Sequence, residues 1–176
     1  MELNNAIQLI SKGVQSNGLP QAWADLGAGS GLFSRALSAV LPDKSIIYAV
    51  DKSYKAGQQI KSQKESNTIV LSKKDFTAPS LDIPLCDGLL MANSLHFVED
   101  KLSFLHHVKK ALLKKGGRII IVEYDTDSAN QWVPYPVSCK NLQRLIDSAG
   151  FSSLQKLAEE KSRYQSGGIY SALIID

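Results

Sequence analysis

Residues 25–31 read Asp-Leu-Gly-Ala-Gly-Ser-Gly, an acid two positions ahead of three alternating glycines, Gly27, Gly29 and Gly31. The run follows Ala22–Leu26, which reads as a short buried strand, and precedes Leu32–Leu41, an apolar helix stopped by Pro42-Asp43. A strand that delivers a glycine-rich turn into a helix N-terminus makes a ligand cradle. Glycine accepts positive φ and lets a ligand approach the backbone, and the helix end offers unpaired N–H groups and a partial positive charge. Three more polar positions fall in comparable places. Asp51 ends the strand Ser45–Val50, Asp75 with Phe76 follows Thr68–Ser72, and Asn93 closes Asp87–Ala92. All lie at carboxyl ends of strands, where open α/β sheets bind their ligands.

Two cofactor types compete for such a cradle. A dinucleotide site has G-x-G-x-x-G, whereas this chain has G-x-G-x-G at 27, 29 and 31. The Asp25 carboxylate would be unfavourable beside a pyrophosphate and favourable beside the ammonium of a methionine moiety. At Asp51 a carboxylate can accept both hydroxyls of a ribose, each bond worth roughly 1.5–3 kcal/mol. That spacing alone suits NAD as well.

The positioning elements follow from hydrophobic periodicity. Residues 3–16 carry a helical stripe of Leu3, Ile7, Leu9, Ile10 and Val14, closed by Gly18-Leu19-Pro20. Tyr54–Lys64 and Lys101–Lys114 read as helices, and Arg118–Glu123 as the most apolar strand. Continuous apolar strands separated by helices predict βαβ units and a parallel sheet covered on both faces. The last third differs. After a helix near Cys139–Ala149, two β-like runs, Ser152–Ala158 and Ile169–Ile175, are joined by the turn Gln165-Ser166-Gly167-Gly168 with no helix between them. A terminal hairpin, with one strand antiparallel to the rest, is expected.

On these residues the chain resembles the seven-stranded Rossmann-like methyltransferases that use S-adenosyl-L-methionine, with Asp25–Gly31 matching their first motif. It looks closest to the broad branch that includes the ubiquinone and menaquinone C-methyltransferases. The resemblance implies an α/β three-layer sandwich with a mostly parallel sheet in order 3-2-1-4-5-7-6 and one antiparallel C-terminal strand. It implies that Asp25, Gly27, Ala28, Gly29 and Gly31 pack along the methionine part of the cofactor, and that Asp51 takes the ribose. Lys52 stands where the family often has an apolar residue, and its stem can lie against adenine. Asp75 would accept from the adenine amino group with the Phe76 N–H facing the ring. Asn93, Ser94 and Leu95, in a segment that matches the family's L-H-x-V at Leu95, His96 and Val98, would lie between cofactor and acceptor.

Methyl transfer from a sulfonium is an in-line displacement that chiefly needs alignment, and a base is required only when the acceptor must lose a proton. His96 is the candidate base; His106 and His107 read as structural. The segment Glu123–Tyr135, with Tyr124, Trp132 and Tyr135, reads as an aromatic lid over the acceptor, with the N-terminal helix (1–18) as a cap. Alternatives are a protein or RNA acceptor, a cofactor-binding protein without catalysis, and an NAD-dependent oxidoreductase.

The composition sets outer bounds. The 176 residues suit a single domain (1–176), with 44% hydrophobic and 21% charged residues. A net charge of +3 with scattered Lys and Arg speaks against nucleic acid as partner. The N–P–P–[YF] element of base-amine methylation is replaced by Met91-Ala92-Asn93-Ser94. Cys86 and Cys139 have no metal-ligand spacing and read as thiols in a reducing compartment. No basic leader followed by an apolar run opens the chain, and no apolar stretch approaches the ~20 residues that span a bilayer. A small-molecule acceptor, no metal, no membrane, a cytoplasmic location, and a monomer or homodimer are therefore expected.

Overall fold

A computed structural model describes residues 1–15, 17–55, 57–160 and 168–176. Helix α1 (Leu3–Ile10) and one 3-10 turn (Ser11–Gly13) lead into β1 (Ala22–Leu26), α2 (Leu32–Val40), β2 (Ile46–Val50), β3 (Thr68–Ser72) and β4 (Cys86–Ala92). A second 3-10 turn (Leu95–Phe97) precedes α3 (Lys101–Ala111), β5 (Leu113–Tyr124), α4 (Cys139–Ser148), β6 (Ser153–Glu160) and β7 (Ile169–Ile175). The strands form one sheet in the order β3-β2-β1-β4-β5-β7-β6. Pairings among β1–β5 are parallel, and β7 runs antiparallel to both β5 and β6. This is the expected Rossmann-like methyltransferase architecture, including its single reversed strand.

The strands are apolar on both faces because both faces are covered. Ile120 and Val122 of β5 meet Leu9, Ile10, Phe33 and Leu37 of α1 and α2 on one side. Their neighbours Ile119 and Ile121 meet Phe104, Leu105, Leu142 and Ile146 of α3 and α4 on the other. Each such side chain fully buried contributes roughly 1.5–3 kcal/mol. None of the helices of the described residues is long and apolar enough to cross a membrane.

Several expected boundaries are corrected. Among its described residues Tyr54–Lys64 holds no helix, and Gly57 sits at φ +76°. Its Tyr54 and Ile60, six positions apart, pack beside Ala28 and Ala49 without a helical stripe to continue them. The first helix ends at Ile10 rather than near residue 16, where the chain tightens to a 3-10 turn. Helix α3 stops at Ala111 rather than Lys114, because Leu112 O accepts from Cys86 N at 2.7 Å and Leu113 already pairs with Cys86 in the sheet. Strand β5 is correspondingly longer than Arg118–Glu123. The hairpin turn at Gln165–Gly167 lies outside the described residues.

Candidate active site

The loop after β1 is shaped by its glycines. Gly27 has φ +82°, and a Cβ there would stand 2.5 Å from Ser94 Cβ and 3.3 Å from Phe76 Cε1. Ser94 cannot retreat, since its buried hydroxyl donates to Leu26 O at 2.6 Å. The ends of β1 and β4 thus meet across a position only glycine fits. Gly29, at φ +53°, differs: no atom lies within 4 Å of where its Cβ would be. A Cβ there would stand in open space and touch nothing of the protein. Gly31 caps α2.

Beside this loop opens a cavity of about 330 Å³ lined by Gly27, Asp51, Lys52, Asp75, Phe76, Thr77, Asn93, Ser94 and Phe97. Its size falls within the usual range for small-ligand sites. The Gly29 N–H donates to Asp51 Oδ2 at 2.8 Å, and the Ser53 N–H and hydroxyl both donate to Oδ1. Partial burial pulls the Asp51 carboxyl upward, but the bonds from Ser53 and Gly29 outweigh it and hold it below the usual range. Asp75 accepts from the Thr77 N–H at 3.0 Å and hydroxyl at 2.7 Å, which keep it ionised at low pH. Its second oxygen is 3.7 Å from Lys52 Nζ, an exposed pair of little energetic weight. Phe76 is braced edge-on by Phe104, centroids 5.9 Å apart.

Asp25 sits beneath the loop rather than in the cavity wall. It is 1% exposed, and Ser34 Oγ donates to its Oδ2 at 2.6 Å. Burial pushes its carboxyl up to about 7, with Ser34 opposing. Two buried polar atoms nearby have no hydrogen-bond partner: Tyr54 OH and Asn93 Oδ1. Asn93 is also left-handed, at φ +52°. A backbone so constrained, holding an orphaned acceptor at a cavity wall, suits a bound donor. Ala28 and Leu95 are buried, and they are absent from that lining together with Gly29 and Gly31. No residue of α1 lines it either.

His96, two residues beyond Ser94 in the second 3-10 turn, is 3% exposed. Its Nδ1 is 2.7 Å from Glu123 Oε2, and its backbone N–H donates to Glu123 Oε1 at 3.2 Å. The carboxylate makes Nδ1 the donor and leaves Nε2 as the nitrogen able to take a proton. Tyr124 has its ring 6.4 Å from that of His96, Phe97 4.4 Å, and the Tyr135 N–H donates to His96 O at 3.0 Å. Trp132 stands apart, 74% exposed, its N–H bonded to Asn130 Oδ1 at 2.8 Å. Of the proposed acceptor residues, Tyr124 and Tyr135 are therefore gathered at His96 and Trp132 projects from the same loop.

A family model described as a methyltransferase domain matches residues 24–121, more than half of the chain. The chain belongs to the methyltransferase-domain family. Solved structures share the fold of this methyltransferase at low identity. An S-adenosylmethionine-dependent methyltransferase from Thermotoga maritima is 18% identical, with a TM-score of 0.68 over 98% of this chain and 88% of its own. The 1,6-didemethyltoxoflavin-N1-methyltransferase of Burkholderia thailandensis, solved with 1,6-didemethyltoxoflavin and S-adenosylhomocysteine, is 20% identical, with a TM-score of 0.64 over 99% of this chain and 77% of its own. Human N-acetylserotonin methyltransferase, solved with S-adenosylmethionine, is 20% identical with a TM-score of 0.67; 98% of this chain spans 51% of that one. No curated protein matches the chain.

Sequence reasoning missed four residues of this methyltransferase that geometry brings in. Thr77 fixes Asp75, and Phe97 lines the cavity. Ser34 holds Asp25, and Glu123 holds His96. Glu123 had a readable signal: it is an acid at the end of an otherwise continuous apolar strand.

Proposed function

We propose that this methyltransferase moves a methyl group from S-adenosylmethionine to a small-molecule acceptor, with residues 1–176 acting as one cofactor-binding domain. The cofactor supplies a methyl made electrophilic by its sulfonium. The chain's residues bind, align and handle a proton. Gly27 and Gly29 leave room for the methionine segment, Asn93 Oδ1 accepts from it, and Asp25 supplies negative charge beneath. Asp51 keeps an acceptor site on Oδ2 for a ribose hydroxyl, and the bonds that hold its carboxyl below the usual range favour the charged form. Asp75, Phe76 and the stem of Lys52 take the base. Holding the reactants in line supplies roughly 7–11 kcal/mol.

The carrying observation is the single cavity that unites Gly27, Asp51, Asp75 and Asn93 at four strand ends. His96, fixed by Glu123 among aromatic side chains, serves as base for an acceptor that must lose a proton. The 1,6-didemethyltoxoflavin bound to the Burkholderia enzyme supports a small acceptor in this fold. Within the family we place the chain beside the ubiquinone and menaquinone branch on its motifs. The test is calorimetry with S-adenosylhomocysteine: saturable binding with a raised Tm is expected, the stabilisation being about 2.7 kcal/mol at a hundred times Kd. A folded sample that shows neither at millimolar ligand overturns the assignment.

A further inference from the structure

Lys101, the first residue of α3, is the unexplained charge near His96. It is half-buried, and burial holds its ammonium below the usual lysine range, opposed by the Glu123 carboxylate. Its Nζ donates to Val98 O at 2.7 Å and stands 5.7 Å from the centroid of the Tyr135 ring. Among the described residues no carboxylate forms an ion pair with it. Glu123 is the acid it senses, and both Glu123 oxygens are committed to His96.

A partly desolvated ammonium without an anionic partner is costly. Its place in the first turn of a helix adds to that cost, because the helix dipole there repels cations. One neutral carbonyl and one ring face do not supply the missing negative charge. The surroundings define what would. Tyr135 is tied through its N–H to His96 O, the His96 ring abuts Phe97, and Phe97 walls the cofactor cavity. Phe97, His96, Tyr135 and Lys101 are thus joined by one run of contacts that starts at the cavity wall.

We propose that Lys101 is the anion seat of the acceptor site, and that the acceptor is an aromatic anion whose ring lies against Tyr135 and Tyr124 and whose charged oxygen pairs with the ammonium. This rests on the methyl-transfer reading and names its acceptor class. Lys101 selects the anion, and the ring places the methylated atom near His96.

The probes are 4-hydroxybenzoate, its neutral amide 4-hydroxybenzamide, and cationic tyramine. Each is titrated into the protein with and without S-adenosylhomocysteine and followed by ligand-observed NMR. The carboxylate is expected to bind at least tenfold more tightly than the amide or the amine. Lys101→Met should reduce that preference to within twofold, Lys101→Arg should keep it, and the affinity for S-adenosylhomocysteine should stay unchanged in both. The proposal is overturned by equal binding of the three probes, by no carboxylate binding at millimolar concentration, or by a preference that survives Lys101→Met. Failure of S-adenosylhomocysteine to bind overturns the methyl-transfer reading instead, and the preference measured in the unliganded protein still decides the anion seat.

Discussion

Nδ1 of His96 lies 2.7 Å from Oε2 of Glu123, with both side chains almost wholly enclosed. The second carboxylate oxygen accepts from the backbone N–H of His96, so Glu123 fixes both the ring and the chain that carries it. An enclosed carboxylate at the end of an apolar strand would be expensive without these two bonds. Its retention is explained if the imidazole must keep one tautomer and one orientation while taking a proton.

Glu123→Gln should therefore lower kcat by roughly 100-fold, the lower end of what a positioned base supplies, for any acceptor that loses a proton. Affinity for S-adenosylhomocysteine should change less than threefold. His96→Gln should fall by at least as much, and the double variant should be no worse than the worse single one, because the pair acts as a unit. Additive losses in the double variant would show that Glu123 supports only the fold.

Asp25 links stability to pH with the opposite sign from most carboxylates. Burial raises its carboxyl from 3.8 to about 7 in the folded chain. Between those values the folded state holds a proton that the unfolded state has released. Stability therefore falls as pH rises through this window, and the cost is complete above about pH 7. The gap corresponds to about 4 kcal/mol. Asp25→Asn, which still accepts from Ser34, should raise Tm at pH 8, with the gain fading toward pH 4. The same substitution should weaken S-adenosylhomocysteine, whose ammonium needs the charged carboxylate; in the wild type, affinity should rise with pH up to about 7. A variant that gains no stability at pH 8 would show that burial does not raise the Asp25 carboxyl above the ordinary carboxylate range.

The alternating elements and the terminal hairpin were legible from local signals: apolar runs, the glycine turn, and two strands without an intervening helix; the strand order came from the family resemblance, not from those signals. The Tyr54–Lys64 helix was misread for a comparably local reason. Two apolar residues and good helix formers flank Gly57, but the segment's job is to tuck Tyr54 and Ile60 beside Ala28. The pairings were not legible. Asp25 meets Ser34 through the angle between β1 and α2, and His96 meets Glu123 only through the register of β4 on β5, where Ala92 pairs with Val122. Acids at strand ends can be listed from sequence; which are enclosed and which face the cavity depends on the neighbouring strand.

Gly27 and Gly29 make a matched pair for separating folding from binding. Both have positive φ, so alanine costs about 1–2 kcal/mol at either through the backbone. Gly27→Ala adds a collision with the anchored Ser94 and should lose further stability. Gly29→Ala collides with nothing and should cost only the backbone amount, yet weaken S-adenosylhomocysteine at least tenfold by filling the cradle. Denaturant unfolding and calorimetry on both variants give the comparison. Normal binding by Gly29→Ala would place the methionine segment elsewhere.

Trp132 tests the division of labour between cofactor and acceptor. It is 74% exposed and does not line the cofactor cavity, so its removal should leave stability within about 0.5 kcal/mol. Its loop is nevertheless tied to the reactive side of the site, since Tyr135 three residues on is bonded to His96 and Tyr124 lies beside the same ring. A large aromatic left in solvent at that position gains its burial area only when something packs on it. Trp132→Ala should therefore change acceptor kcat/KM at least tenfold and the S-adenosylhomocysteine Kd by less than about threefold, because contacts to one ligand do not alter the other without coupling. Both constants can be measured on one preparation. Equal losses would assign Trp132 to the support of the whole site, and an unchanged acceptor constant would place the tip of the loop outside the acceptor's path.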